Sequence, residues 1–184
     1  MQPQKYSKSF QIALSGISCA IAVAVLPLGI LSGWLLATGY FIAVIALMVP
    51  LSKQFFWGDF LAYLGTCILT LVLGAAGKFW DLVPFIMFFG LHPLINALQI
   101  RFKINRWLAY AIKAVWFDCT LIAGYFLIYV IGGHSLPAAL EQILFGWRLY
   151  VVAFTVGSAV FLGYDYLIFK CQILVNQIVY KIKK

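Results

Sequence analysis

The stretch Phe10–Leu31, FQIALSGISCAIAVAVLPLGIL, contains no charged side chain. A helix rises about 1.5 Å per residue, so this run can cross the roughly 30 Å hydrocarbon core of a bilayer. It is too long for the apolar region of a cleavable secretory signal, and beyond Ser32-Gly33 the chain leads straight into another apolar run. It is therefore expected to remain as a span. Five further runs follow the same pattern: Trp34–Leu51, Phe55–Ala76, Trp80–Leu98, Trp107–Ile131 and Leu144–Phe169. Gly, Pro or charge punctuates each junction, at Ser32-Gly33, Pro50 to Lys53, Gly77-Lys78, Arg101 to Arg106 and Gly132-Gly133 to Pro137. The runs are continuous rather than alternating, which favours helices over barrel strands. The expectation is an all-α integral membrane protein, a single transmembrane domain over residues 1–184 with six transmembrane helices.

Composition agrees. Of 184 residues, 65% are apolar and 10% charged, a balance unsuited to a water-soluble domain. The net charge of +8 is better explained by basic loops beside a membrane than by nucleic acid, and no nucleic-acid partner is expected. Lys5 and Lys8 precede helix 1, Lys53 follows helix 2, Arg101, Lys103 and Arg106 follow helix 4, and Lys170, Lys181, Lys183 and Lys184 follow helix 6. The opposite side carries Lys78 beside Asp81, and Arg148 near Glu141. This bias predicts both termini in the cytoplasm and a multi-pass protein of the cell membrane. Trp34, Trp57, Trp80, Trp107 and Trp147 all fall near span ends, where indole prefers the interface.

Cys19, Cys67, Cys119 and Cys171 are widely spaced, so neither a metal site nor a redox pair is expected. No H-E-x-x-H, G-x-S-x-G or phosphate-binding loop is present. The chain is read as not an enzyme and as needing no cofactor. Energy for any active transport must then come from another subunit.

Polar residues recur on helix faces. Helix 3 aligns Asp59, Tyr63, Thr66 and Thr70, helix 5 aligns Asp118, Tyr125 and Tyr129, and helix 6 aligns Arg148, Thr155, Ser158 and Asp165. Such faces avoid lipid and should point inward. Asp118 lies near the midplane, where an ionised carboxylate is expensive, so it is expected to be paired, protonated or beside water. His92 is the first candidate partner and Lys113 the second. Near the outer face, Trp34, Thr38, Tyr125, Tyr129, Trp147 and Arg148 form a candidate ligand-binding set. Aromatic walls with a few polar groups suit a small, partly polar molecule, and a guanidinium can hold a carboxylate bidentately. His134 and Glu141 flank this set in loop 5. Helix 1 carries Ala13, Gly16, Ala20 and Ala24 at steps of three and four, a small-residue face that lets another helix approach closely.

This layout resembles the substrate-binding component of energy-coupling factor (ECF) importers. The resemblance lies in the six-helix plan with both ends inside and in the small-residue face Ala13, Gly16, Ala20 and Ala24, with Gly16 standing where the family's stripe has alanine. The segment Phe88-Phe89-Gly90-Leu91-His92-Pro93-Leu94-Ile95, followed by basic Arg101 to Arg106, also looks like helix 4 and its following loop in some members. The resemblance implies a vitamin pocket near the outer face, beneath the loop after helix 1. It also implies docking through the helix 1 face to a transmembrane coupling subunit served by two cytoplasmic ATPase subunits. Arg148 and Lys78 point to an anionic vitamin such as pantothenate, with a pyridoxine or thiamine-precursor type ligand next. The competing readings are a self-contained or proton-coupled carrier, a membrane-embedded enzyme using Asp118, His92 and Asp59, and an assembly subunit without ligand.

Overall fold

The computed structural model describes residues 6–133 and 146–181. Every regular element among them is helical. Four helices are long and apolar enough to cross a membrane: α1 (Lys8–Ser32), α4 (Ala76–Arg101), α5 (Arg106–Ile131) and α6 (Trp147–Val179). Between the first two lie the shorter apolar helices α2 (Leu36–Leu51) and α3 (Phe56–Val72).

Local chemistry sets the ends. Ser7 accepts a hydrogen bond from the Phe10 amide at 3.2 Å, and Asn105 accepts one from the Trp107 amide at 2.9 Å, so α1 and α5 each begin on a side-chain cap. Gly33, at φ +67°, closes α1 by returning its N–H to the Gly29 carbonyl. Helix α3 stops at Val72, short of the expected Ala76, because Gly74 turns left-handed at φ +111° and leads into a tight turn over Ala75–Lys78. That turn starts α4 ahead of the expected Trp80. At the other extreme α6 runs well past Phe169, with Gln172 and Val175 buried on its continuation. Lys170 does not end it, since a long basic side chain can carry its charge away from an apolar helix surface. His134, Glu141 and the expected first residue of helix 6, Leu144, lie outside the described residues.

The chain packs as two compact units, one holding everything up to Leu98 and from Lys170 onward, the other Gln99–Phe169. In the first, α1 packs on α2 and α3, and α2 on α3. Its core is built from Ala22, Leu26 and Ile30 of α1 with Ala43, Val44 and Leu47 of α2, all fully or almost fully buried. Gly29 and Gly39 make the α1–α2 crossing possible: a Cβ on either would lie 3.0 Å from the other's Cα. In the second unit α5 packs along the first half of α6, where Phe117 meets Phe161 at 5.8 Å between ring centroids.

Burial follows the solvent expected of a bilayer. Large apolar side chains such as Leu28, Leu61, Ile68, Val72, Ile112 and Val160 are more than half exposed, while Asp59, Thr66, Thr70, Asp118 and Asp165 are almost wholly buried. Open apolar surface on this scale is compatible with a membrane-embedded helical protein.

Candidate functional site

The second unit holds four of the six residues expected to bind ligand. Tyr125 and Tyr129, one turn apart on α5, pack their rings 5.6 Å apart at 39°, and both are half-buried. Trp147 and Arg148 open α6 and are exposed, Trp147 at 71%. Gly146, at φ +63°, turns the chain into that helix. Trp34, 97% exposed, and exposed Thr38 belong to the first unit, where Trp34 stands in the α1–α2 turn.

Below the tyrosines, α5 and α6 are joined by two polar contacts. Ser158 Oγ donates to Asp118 Oδ2 at 2.7 Å, and the Lys113 ammonium pairs with Asp165 Oδ1 at 2.5 Å with both side chains buried. Asp118 is therefore partnered in its own unit by Ser158. Lys113, expected as a second candidate for Asp118, is engaged by Asp165. His92, expected as the first, lies in the other unit, fully buried with its ring 5.0 Å from Phe88. Asp118 Oδ1 accepts no hydrogen bond and packs against Gly157, where an added Cβ would come within 2.7 Å of it. Contacts 117 to 161 and 121 to 157 fix the antiparallel register.

Three helices change to wider π turns: α4 at Phe85–Phe89, α5 at Phe126–Ile131 and α6 at Ala153–Gly157. In α4 the change follows Pro84, which brings no N–H to the helix ladder. Such turns leave backbone groups outside the regular ladder and recur at functional sites. Tyr129 lies inside the α5 turn and Thr155 inside the α6 turn.

In the first unit Lys78 has a structural use. Its ammonium donates to the carbonyls of Ile30 at 3.2 Å and Leu31 at 2.9 Å, capping the C-terminal end of α1. The Tyr40 hydroxyl donates to the Asp81 carbonyl, a second tie between the same segments. Lys78 is thus already bound where the sequence suggested a cation free for ligand. Pro27 and Gly29 read in the sequence as a loosening of the outer end of helix 1, whereas Gly29 serves the α1–α2 crossing; sequence reasoning passed over Gly39 and Gly157, whose signal was only that glycine stood in helix interiors without a turn to explain it.

The small face of α1 is open. Ala13, Gly16, Ala20 and Ala24 are all exposed, while Ser15, Ser18, Ala22 and Leu26 on the other side are buried. A Cβ added at Gly16 would meet nothing within 4 Å. Among the described residues no group of His, Cys, Asp and Glu side chains is arranged to hold a metal. Comparison with protein-family models, with curated proteins and with solved structures finds no match to this chain.

Proposed function

We propose that this chain is the substrate-binding subunit of an ECF-type importer, embedded in the cell membrane by six spans with both termini in the cytoplasm. The observation that carries the reading is the α1 face of Ala13, Gly16, Ala20 and Ala24. With Ser15 and Ser18 turned inward, these four small residues stand open on α1 beside exposed Ile17 and Ile21, a surface that suits the close approach of another helix. The partner is a transmembrane coupling subunit, and two cytoplasmic ATPase subunits supply the energy. Helices α2 and α3, at 16 and 17 residues, are at the short end for a span. They complete the count of six by local thinning of the bilayer and by interfacial anchors such as Trp57.

The ligand is a vitamin-like small molecule held at the outer end of α5 and α6. Tyr125 and Tyr129 wall it, Trp147 covers it, and Arg148 pairs with an acidic group. With Lys78 committed to the α1 cap, Arg148 is the cation we assign to an anionic ligand such as pantothenate. Pyridoxine or a thiamine precursor is the next candidate.

The test is Ala20→Trp. Uptake in cells should be lost, while the purified variant should bind the small molecule that co-purifies with the wild type at unchanged affinity. Loss of uptake and binding together would make the α1 face an internal packing surface and remove the docking role.

A self-contained carrier is the second reading, favoured by the buried Lys113–Asp165 and Asp118–Ser158 contacts. Ionisable groups in mid-membrane mark ion or proton paths in many transporters. Transport by liposomes holding this chain alone would select it.

A further inference from the structure

Asp59 stands in the first turn of α3 and is 1% exposed, yet neither oxygen of its carboxyl has a hydrogen-bond partner. It makes no ion pair among the described residues. The other buried aspartates differ. Asp165 pairs with the Lys113 ammonium, and Asp118 accepts from Ser158. An ionised carboxylate shut away from water, with neither a cation nor a donor, is far more costly than the neutral acid.

Helix α3 packs on α1, on α2 and on the turn at Ala75–Lys78, and its Tyr63 reaches α4. The polar groups of these elements are engaged elsewhere. On α3 itself the Tyr63 hydroxyl donates to the Ile86 carbonyl at 2.7 Å, and Thr66 donates to the Ala62 carbonyl at 2.8 Å. Tyr40 of α2 donates to the Asp81 carbonyl. Of the cations, Lys78 holds the end of α1, Lys53 lies over the Tyr6 ring at 5.6 Å, and Lys8 is exposed. On α4, His92 is buried against the Phe88 ring, Asp81 is a second acid, and Arg101 is exposed. The thiols of Cys19 and Cys67 complete the titratable groups. None of these donates to the Asp59 carboxyl. Gly58, the residue before it, lets α1 come so close that a Cβ there would overlap the Ser15 hydroxyl. Hydrating the Asp59 carboxyl therefore requires the start of α3 to leave its packed neighbours.

We propose that Asp59 is a proton-binding site: its carboxyl is held as the neutral acid in the packed first unit, and release of the proton loosens the start of α3. The step adds one proton to one carboxylate oxygen and needs no other reactant. Lys53 and exposed Trp57 place this end of α3 at an interface, so the proton arrives from that side, the cytoplasmic one in the topology proposed above. The packing of the first unit carries the inference, and the importer reading does not enter it.

The test is reversible unfolding of the full chain in mixed micelles between about pH 5 and about pH 9, with Asp59→Asn and Asp59→Leu beside the wild type. A fold that keeps a proton which the unfolded chain gives up above about pH 4 loses stability as pH rises. The wild-type folding equilibrium should therefore fall about tenfold per pH unit relative to either variant, until the folded acid ionises. Infrared spectra at neutral pH give a second readout. The difference between wild type and Asp59→Asn should show the carbonyl band of a protonated carboxylic acid, and raising the pH should remove it. One shared pH dependence of unfolding in the wild type and both variants, or a difference spectrum with carboxylate bands alone at neutral pH, overturns the proposal. Either result leaves the importer reading to its own test, the uptake and binding of Ala20→Trp.

Discussion

Lys113→Met should destabilise the protein by about 3–5 kcal/mol, the usual cost of removing one member of a buried ion pair. Lys113 and Asp165 are 2.5 Å apart with side chains only 5% and 3% exposed, so the substitution takes the ammonium away from a carboxylate held out of water. The methionine fills most of the lysine's apolar volume, and the loss is therefore electrostatic rather than a cavity effect. The double variant Lys113→Met/Asp165→Leu removes both charges and should recover most of that loss, since an apolar replacement of a whole buried pair is often neutral or better. Thermal unfolding in detergent of the wild type, both singles and the double gives the coupling directly. A Lys113→Met variant as stable as the wild type would mean that the two helices are not held by this pair.

Gly39→Val should cost about 1–3 kcal/mol or more, because it overpacks a backbone contact. A Cβ there would lie 3.0 Å from the Gly29 Cα and 3.4 Å from the Val25 carbonyl oxygen. Both are main-chain atoms, so no flexible side chain can swing aside, and α1 and α2 must separate. Separation also disturbs the end of α1, where Lys78 holds the Ile30 and Leu31 carbonyls. Gly16→Ala, on α1, is the control and should not destabilise, since the added methyl meets nothing within 4 Å. Equal melting of Gly39→Val and wild type in detergent would contradict the close crossing.

Much of the architecture was legible because a bilayer imposes long apolar runs, and charged or glycine-bearing breaks mark where they end. The misplaced ends have particular causes. Gly74 at φ +111° ends α3 early, and Lys170 looked like a terminator but sits in a helix that continues through Gln172 and Val175. Face periodicity put Asp59, Tyr63, Thr66 and Thr70 of α3, and Asp118 and Asp165, on buried sides, but Arg148 and Thr155, expected on the same inward face as Asp165, are exposed, Thr155 returning its hydroxyl to the Val151 carbonyl. Which carboxylate meets Lys113 depends on the register between α5 and α6, and that register is set by contacts such as Phe117 with Phe161 and Leu121 with Gly157. No spacing within one helix encodes it. The use of Lys78 as a cap was hidden for the same reason, since its carbonyl partners are some 48 residues away in the chain. The α1–α3 contact depends on Gly58 admitting Ser15, a fit between two helices that composition does not reveal.

The central claim is that the open face of α1 couples a ligand-binding chain to an ATP-driven partner. The most direct measurement is affinity purification of the tagged chain from its own membranes in mild detergent, with protein identification and ATP hydrolysis read on the same sample. The wild type should bring down one further transmembrane subunit and two ATPase subunits with ATPase activity, and Ala20→Trp should lose them all. A wild-type chain that purifies without an ATPase, and that alone carries substrate into liposomes, would contradict the account.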